Sequence, residues 1–137
     1  MTGRVLALDV GDKRIGIAVS DQMRLIATPH SVYTRVGYTP DVKHIQALCR
    51  ETAADLIVCG LPRNMDGSVG FQAEKVMAFA EKLRESGLTV VFQDERLSTV
   101  SAHHALIEGG MRRENRKDHV DKVAAAVILQ TYLDSQH

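Results

Sequence analysis

The sequence predicts an α/β fold: a mixed five-stranded sheet, its first three strands antiparallel, with helices on both faces. Three observations predict it. Two apolar runs, VLALDV (5–10) and IGIAVS (15–20), flank a turn from Gly11 to Arg14, the pattern of a hairpin. LIVCG (56–60) is a short unbroken apolar run, suited to a strand covered on both sides. Beyond Asp41, segments with helical spacing alternate with strand-like runs, as in βαβ units.

The elements follow in order. Val5 to Val10 and Ile15 to Ser20 form the hairpin, and Leu25 to Arg35 holds a third strand interrupted by Pro29. After the loop Val36–Pro40, Asp41 caps a helix with Val42, Ile45, Leu48, Cys49 and Ala53 on its apolar face. The LIVCG strand leads into the glycine-rich loop GLPRNMDGSVG. A second helix shows Val76, Phe79, Ala80 and Leu83 at three-four spacing and stops at Gly87. LTVVFQDE is the fifth strand, and Ser98 caps a helix running to Gly109-Gly110. A final helix from about Lys117 carries Val120, Val123, Ala124, Val127 and Leu133, apolar on almost every side, and is expected to be buried. The expected order is β-β-β-α-β-α-β-α-α, without internal repeats, in one domain spanning 1–137.

At 137 residues and 15.1 kDa the chain is long enough for one core. MTGRVLALDV lacks a signal peptide's apolar centre, and the longest uncharged stretch, VAAAVILQTYL, is too short for a bilayer, so a cytoplasmic protein without a membrane partner is expected. Cys49 and Cys59 lie in apolar segments and are expected to be buried thiols. No C-x-x-C or H-E-x-x-H spacing suggests zinc. Net charge is zero, which disfavours a purely electrostatic nucleic-acid binder. A local basic patch exists in MRRENRK, where Arg112, Arg113, Arg116 and Lys117 outweigh Glu114.

Three acids sit at the ends of segments that should be buried: Asp9 near the end of the first strand, Glu95 after the fifth, and Asp121 at the start of the apolar final helix. Each has a plain reading. Asp9 precedes a glycine turn, Glu95 has Arg96 beside it, and Asp121 lies one helical turn from Lys117. A single cation cluster explains all three, because neighbouring strand ends lie about 4.8 Å apart and a packed helix delivers a third ligand. Without a cation, such carboxylates raise one another's pKa. Hard oxygen donors favour Mg²⁺ or Mn²⁺, and a pair of such ions serves phosphodiester hydrolysis. Lys13, Arg14 and the 112–117 stretch would hold flanking phosphates.

DVGDKRIGIAVSD, GLPRNMDGS, DERLST and VDKVAAAVILQTYLD, in this order, resemble the YqgF family, also called RuvX. The resemblance covers nearly the whole chain and is weakest at 33–42. It implies an RNase H-like fold akin to RuvC, and a cytoplasmic, metal-dependent nuclease that matures the 5′ end of pre-16S ribosomal RNA. An older assignment is Holliday junction resolution on branched DNA. By motif, Asp9, Glu95 and Asp121 match the family's metal ligands, and Lys13 and Arg14 its KRIG turn. Asn64-Met65-Asp66-Gly67 would lie beside the site, with Arg63 and Asn64 in reach of substrate. Asp118, three residues before Asp121 as in the paired aspartates of related resolvases, reads as a helix-start acid favoured by the dipole rather than a further ligand. His119 and the pair His103-His104 read as surface residues.

Two other classes compete. D-x-G-x-x-x-x-G, here Asp9 to Gly16, also opens the phosphate-binding hairpin of actin-like ATPases, but those proteins need two such domains and 137 residues do not hold both. A non-catalytic nucleic-acid-binding module has no need of all three acids in motif context. The expected partner is nucleic acid, a ribosomal precursor or structured DNA, acted on by a monomer or a homodimer.

Overall fold

The structure, a computed structural model, describes residues 3–62, 70–95 and 113–137, with side chains from residue 121 onward in the last segment. Five strands, β1 (Arg4–Val10), β2 (Arg14–Ser20), β3 (Ala27–Thr34), β4 (Ala54–Leu61) and β5 (Val90–Asp94), form one sheet in the order β3-β2-β1-β4-β5. β1 and β2 are antiparallel, as are β2 and β3, whereas β4 runs parallel to both β1 and β5. This is the mixed sheet that the hairpin and the βαβ pattern predict.

Strand alternation divides the core in two. Leu6, Leu8, Val10, Ile15, Ile17, Ile57 and Cys59 point to the face covered by helices α1 (Tyr38–Thr52) and α2 (Phe71–Glu85), meeting Ile45, Leu48, Phe79 and Leu83. Val5, Ala7, Ala18 and Val58 point the other way, onto α3 (Arg113–Ser135), whose Ala125, Ile128, Leu129 and Leu133 are buried. Small residues on both sides of this second layer let α3 lie close to the strands. Among the described residues, no helix is long and apolar enough to cross a membrane.

Several boundaries differ from expectation for identifiable reasons. Pro29 does not interrupt β3: it lies inside the strand, opposite Ala18, where the register shifts. β3 is the edge of the sheet, the one place a residue without an N–H is tolerated. Asp41 is not the N-cap of α1. The helix begins earlier, after Gly37, and Asp41 sits in its first turn. Its carboxylate is wholly buried and receives Tyr33 Oη (2.9 Å), the Val36 N–H (2.9 Å), the Gly37 N–H (3.3 Å) and Arg35 Nε (3.0 Å). Burial alone would raise the Asp41 pKa, but these donors outweigh it and hold the carboxyl below its usual range. The last helix starts at Arg113 rather than Lys117, because Arg, Glu and Lys are good helix formers and the last breaker is Gly110. Cys49 and Cys59 are free and buried, and burial pushes the Cys59 thiol up to about 12. The helix expected over 98–110 and the loop 63–69 lie outside the described residues.

Candidate active site

The sheet gathers its acids where β1, β4 and β5 end. Asp9, the penultimate residue of β1, points to the α3 face by alternation with Val5 and Ala7. Its partner across the ladder on β2 is Gly16. Glu95 directly follows β5, its N–H bonded to the Leu61 carbonyl at 3.3 Å, and its side chain folds back over β4. Asp121 lies on the sheet-facing side of α3, with Ala125 and Ile128.

Two glycines create the room for this convergence. A Cβ on Gly16 would stand 1.9 Å from the Asp121 carbonyl oxygen, so α3 reaches β2 here only because no side chain intervenes. A Cβ on Gly60 would stand 2.8 Å from Glu95 Oε2 and 2.5 Å from Ile128 Cδ1. A larger residue there would push the ends of the Glu95 and Ile128 side chains aside. Sequence reasoning passed over both glycines. The available signal was a lone glycine inside an otherwise apolar strand, which marks close approach of another group.

The electrostatics are those of a crowded carboxylate cluster. Burial, the Asp9 charge and a hydrogen bond with Asp9 push Glu95 up to about 8. Burial and the Asp121 charge push Asp9 up to about 6, partly offset by that same hydrogen bond. Both shifts favour the protonated forms of these acids in the metal-free protein. Glu95 Oε2 is buried and accepts no hydrogen bond among the described residues. An orphaned buried oxygen is costly, and it is the group a bound cation would satisfy.

Asp121 is engaged differently. Its Oδ2 accepts a hydrogen bond from Arg14 Nε at 2.8 Å, and both side chains are about three-quarters buried. Arg14 and Gly16 are two apart on β2 and face the same way, so one strand receives both the carboxylate and the carbonyl of Asp121. Arg14, expected to hold substrate phosphate, is thus committed to an acid of the site. Lys13 is exposed on the turn. Among the described residues no three acids, histidines or cysteines are gathered into a ready-made metal site. Asp9 and Glu95 are together, and Asp121 is near enough for its charge to act on Asp9 while paired to Arg14.

The remaining predicted residues fall elsewhere. Arg63, Asn64, Met65, Asp66, Gly67, His103, His104 and Arg112 lie outside the described residues, as do the side chains of Arg113, Arg116, Lys117, Asp118 and His119. On the opposite face of the sheet, at the same end, a cleft of about 400 Å³ is lined by Asp12, Arg35, Tyr38, Asp41 and Lys75. Lys75 Nζ meets Asp12 Oδ1 at 3.1 Å and ties α2 to the β1–β2 turn.

Comparison with known proteins agrees with this architecture. A family model described as RuvX, Holliday junction resolvase, matches residues 3–135. A protein of Caldanaerobacter subterraneus subsp. tengcongensis is 51% identical over 135 residues, covering 97% of each chain, and one of Clostridioides difficile is 47% identical over 135 residues, covering 98% of this chain and 96% of its own. Both bear the name "Putative pre-16S rRNA nuclease". Among solved structures, T. thermophilus RuvC in complex with a Holliday junction substrate superposes with a TM-score of 0.61 at 14% identity, over 98% of this chain and 95% of that one. The yeast mitochondrial Holliday junction resolvase gives 0.57 at 16%, over 98% and 79%. At these identities the likeness speaks for the fold alone, and the fold is RNase H-like.

Proposed function

The chain belongs to the RuvX family, a nuclease family, and we propose that it is a divalent-metal-dependent phosphodiester hydrolase acting on the 5′ end of pre-16S ribosomal RNA. The substrate reading rests on the name carried by relatives at 51% and 47% identity across nearly the whole chain. Branched DNA is the second reading, favoured by the description of the matching family. The protein is read as one cytoplasmic domain spanning 1–137, working as a monomer or a homodimer.

The observation that carries the chemistry is the pairing of half-buried Asp9 with buried Glu95, both pushed towards their protonated forms, with Glu95 Oε2 unsatisfied among the described residues. The donors are all oxygen, which suits Mg²⁺ or Mn²⁺. Asp9, Glu95 and Asp121 would be the ligands. A divalent ion bound there supplies an activated water and stabilises the leaving oxygen of the phosphodiester. To serve as ligands, Asp9 and Glu95 would both have to be ionised, so metal binding would be weaker at low pH. Gly16 and Gly60 let α3 and Glu95 approach the sheet closely at this end. Lys13 stands exposed on the turn beside Asp9, suited to a substrate phosphate. Arg63, Asn64, Arg112, Arg113 and Arg116 are proposed as further backbone contacts.

The test is a side-by-side cleavage assay on a 5′-extended 16S precursor and on four-way junction DNA, with Mg²⁺ and with Mn²⁺, using Asp9→Asn as control. Preferential cutting of the RNA, lost in the variant, supports the reading. Preferential cutting of the junction selects the second reading, and cutting of neither, or cutting that survives in Asp9→Asn, overturns the site.

A further inference from the structure

Arg14 occupies an unexpected place for a residue of a phosphate-binding turn. Its guanidinium is turned inward, three-quarters buried, with Nε 2.8 Å from Asp121 Oδ2. Its backbone is fixed as well: the carbonyl closes the turn by accepting the Gly11 N–H at 2.8 Å, and the residue pairs with Thr34 on β3. Two residues on, Gly16 seats the Asp121 carbonyl. A carboxylate clasped this way is held in register with the sheet, and its Oδ2 is occupied by the guanidinium. The other two acids show the opposite condition. Among the described residues, Asp9 and Glu95 form no ion pair with a cationic side chain, and Glu95 Oε2 accepts no hydrogen bond. Of the three acids, only Asp121 is answered by a built-in cation among the described residues.

We propose that Arg14 is an internal counter-ion and positioning residue: it holds Asp121 in the metal-free protein and competes with a divalent cation for Asp121 Oδ2. This inference rests on reading Asp9, Glu95 and Asp121 as the cation's ligands. When Asp121 turns to a cation, Arg14 loses its carboxylate partner beside the reacting centre and becomes available to a phosphate oxygen, which guanidinium binds well. Substrate binding through Arg14 is thereby conditional on a loaded site. A fixed positive charge a few ångströms from the ion also weakens its binding.

Titration calorimetry of Mn²⁺ into the full-length protein, without substrate, tests this. Arg14→Gln is expected to bind Mn²⁺ on the order of tenfold more tightly than wild type, because a like charge has been removed. Its metal-free form should melt at a lower temperature, and its Mn²⁺-induced rise in Tm should be larger. Arg14→Lys, which keeps the charge, should stay near wild type. Equal or weaker Mn²⁺ binding by Arg14→Gln overturns the proposal. In wild-type protein, Mg²⁺ should shift the Arg14 Nε–Hε resonance towards that of a free guanidinium. A resonance unmoved at saturating Mg²⁺ also overturns it, whether or not the variant folds. If wild type shows no Mn²⁺ binding that Asp121→Asn abolishes, the reading of the acids as ligands has failed, and the counter-ion role fails with it.

Discussion

Gly16 and Asp121 approach so closely that a β-carbon on the glycine would stand 1.9 Å from the aspartate's carbonyl oxygen. The contact joins the middle of the sheet to α3 at the residue proposed to ligate metal. The clash would be with backbone, which cannot rotate away as a side chain can. Gly16→Ala should therefore cost about 1–3 kcal/mol, measured by urea denaturation, and should reduce cleavage more than the stability loss explains. Wild-type stability and activity in this variant would contradict the close packing.

Gly60 has the same role for Glu95. A side chain there would press on Glu95 Oε2 and Ile128 Cδ1 together. Gly60→Val should destabilise the fold by more than Gly60→Ala and weaken Mn²⁺ binding in both. Calorimetry on the folded variants checks it.

The acid pair gives the metal-free protein a pH dependence of definite sign. Glu95 and Asp9 have folded-state pKa values raised from 4.5 and 3.8 to about 8 and about 6. The folded form thus binds more protons than the unfolded one between roughly pH 4 and 8, and stability falls as pH rises through that window. Thermal melts in chelator should show Tm dropping from pH 5 to pH 8.5. Glu95→Gln, a neutral mimic of the protonated acid, should flatten the curve and exceed wild type at the alkaline end.

Asp41 is a control for the opposite kind of buried acid. It receives four donors, Arg35 among them, and has no part in the cluster. Asp41→Ala should cost roughly 3–5 kcal/mol, since it strands the mostly buried Arg35, yet leave cleavage per folded molecule unchanged. A selective loss of activity would place Asp41 in the catalytic machinery.

Much of the fold was legible because its signals are local. The β1–β2 hairpin is written in two apolar runs around Gly11, and α2 in the spacing of Val76, Phe79, Ala80 and Leu83, all of which are buried. Pro29 misled because whether a proline interrupts a strand depends on that strand's position, and only the assembled sheet makes β3 an edge. Asp41 misled because caps share one local signature, whereas its carboxylate is held by Tyr33 and Arg35, upstream of the helix. At the site, Asp9 and Glu95 stood out as acids beside buried runs. The pairing of Arg14 with Asp121, 107 residues apart, was not legible, because a charged turn residue looks the same whether it faces solvent or the interior.

The central claim is that Asp9, Glu95 and Asp121 together bind a divalent ion, and anomalous diffraction from crystals soaked in Mn²⁺ tests it most directly. The account predicts a Mn²⁺ peak with oxygens of all three residues in its coordination sphere and Arg14 turned from Asp121. A peak bound elsewhere, or no peak among these three acids at saturating Mn²⁺, would contradict it.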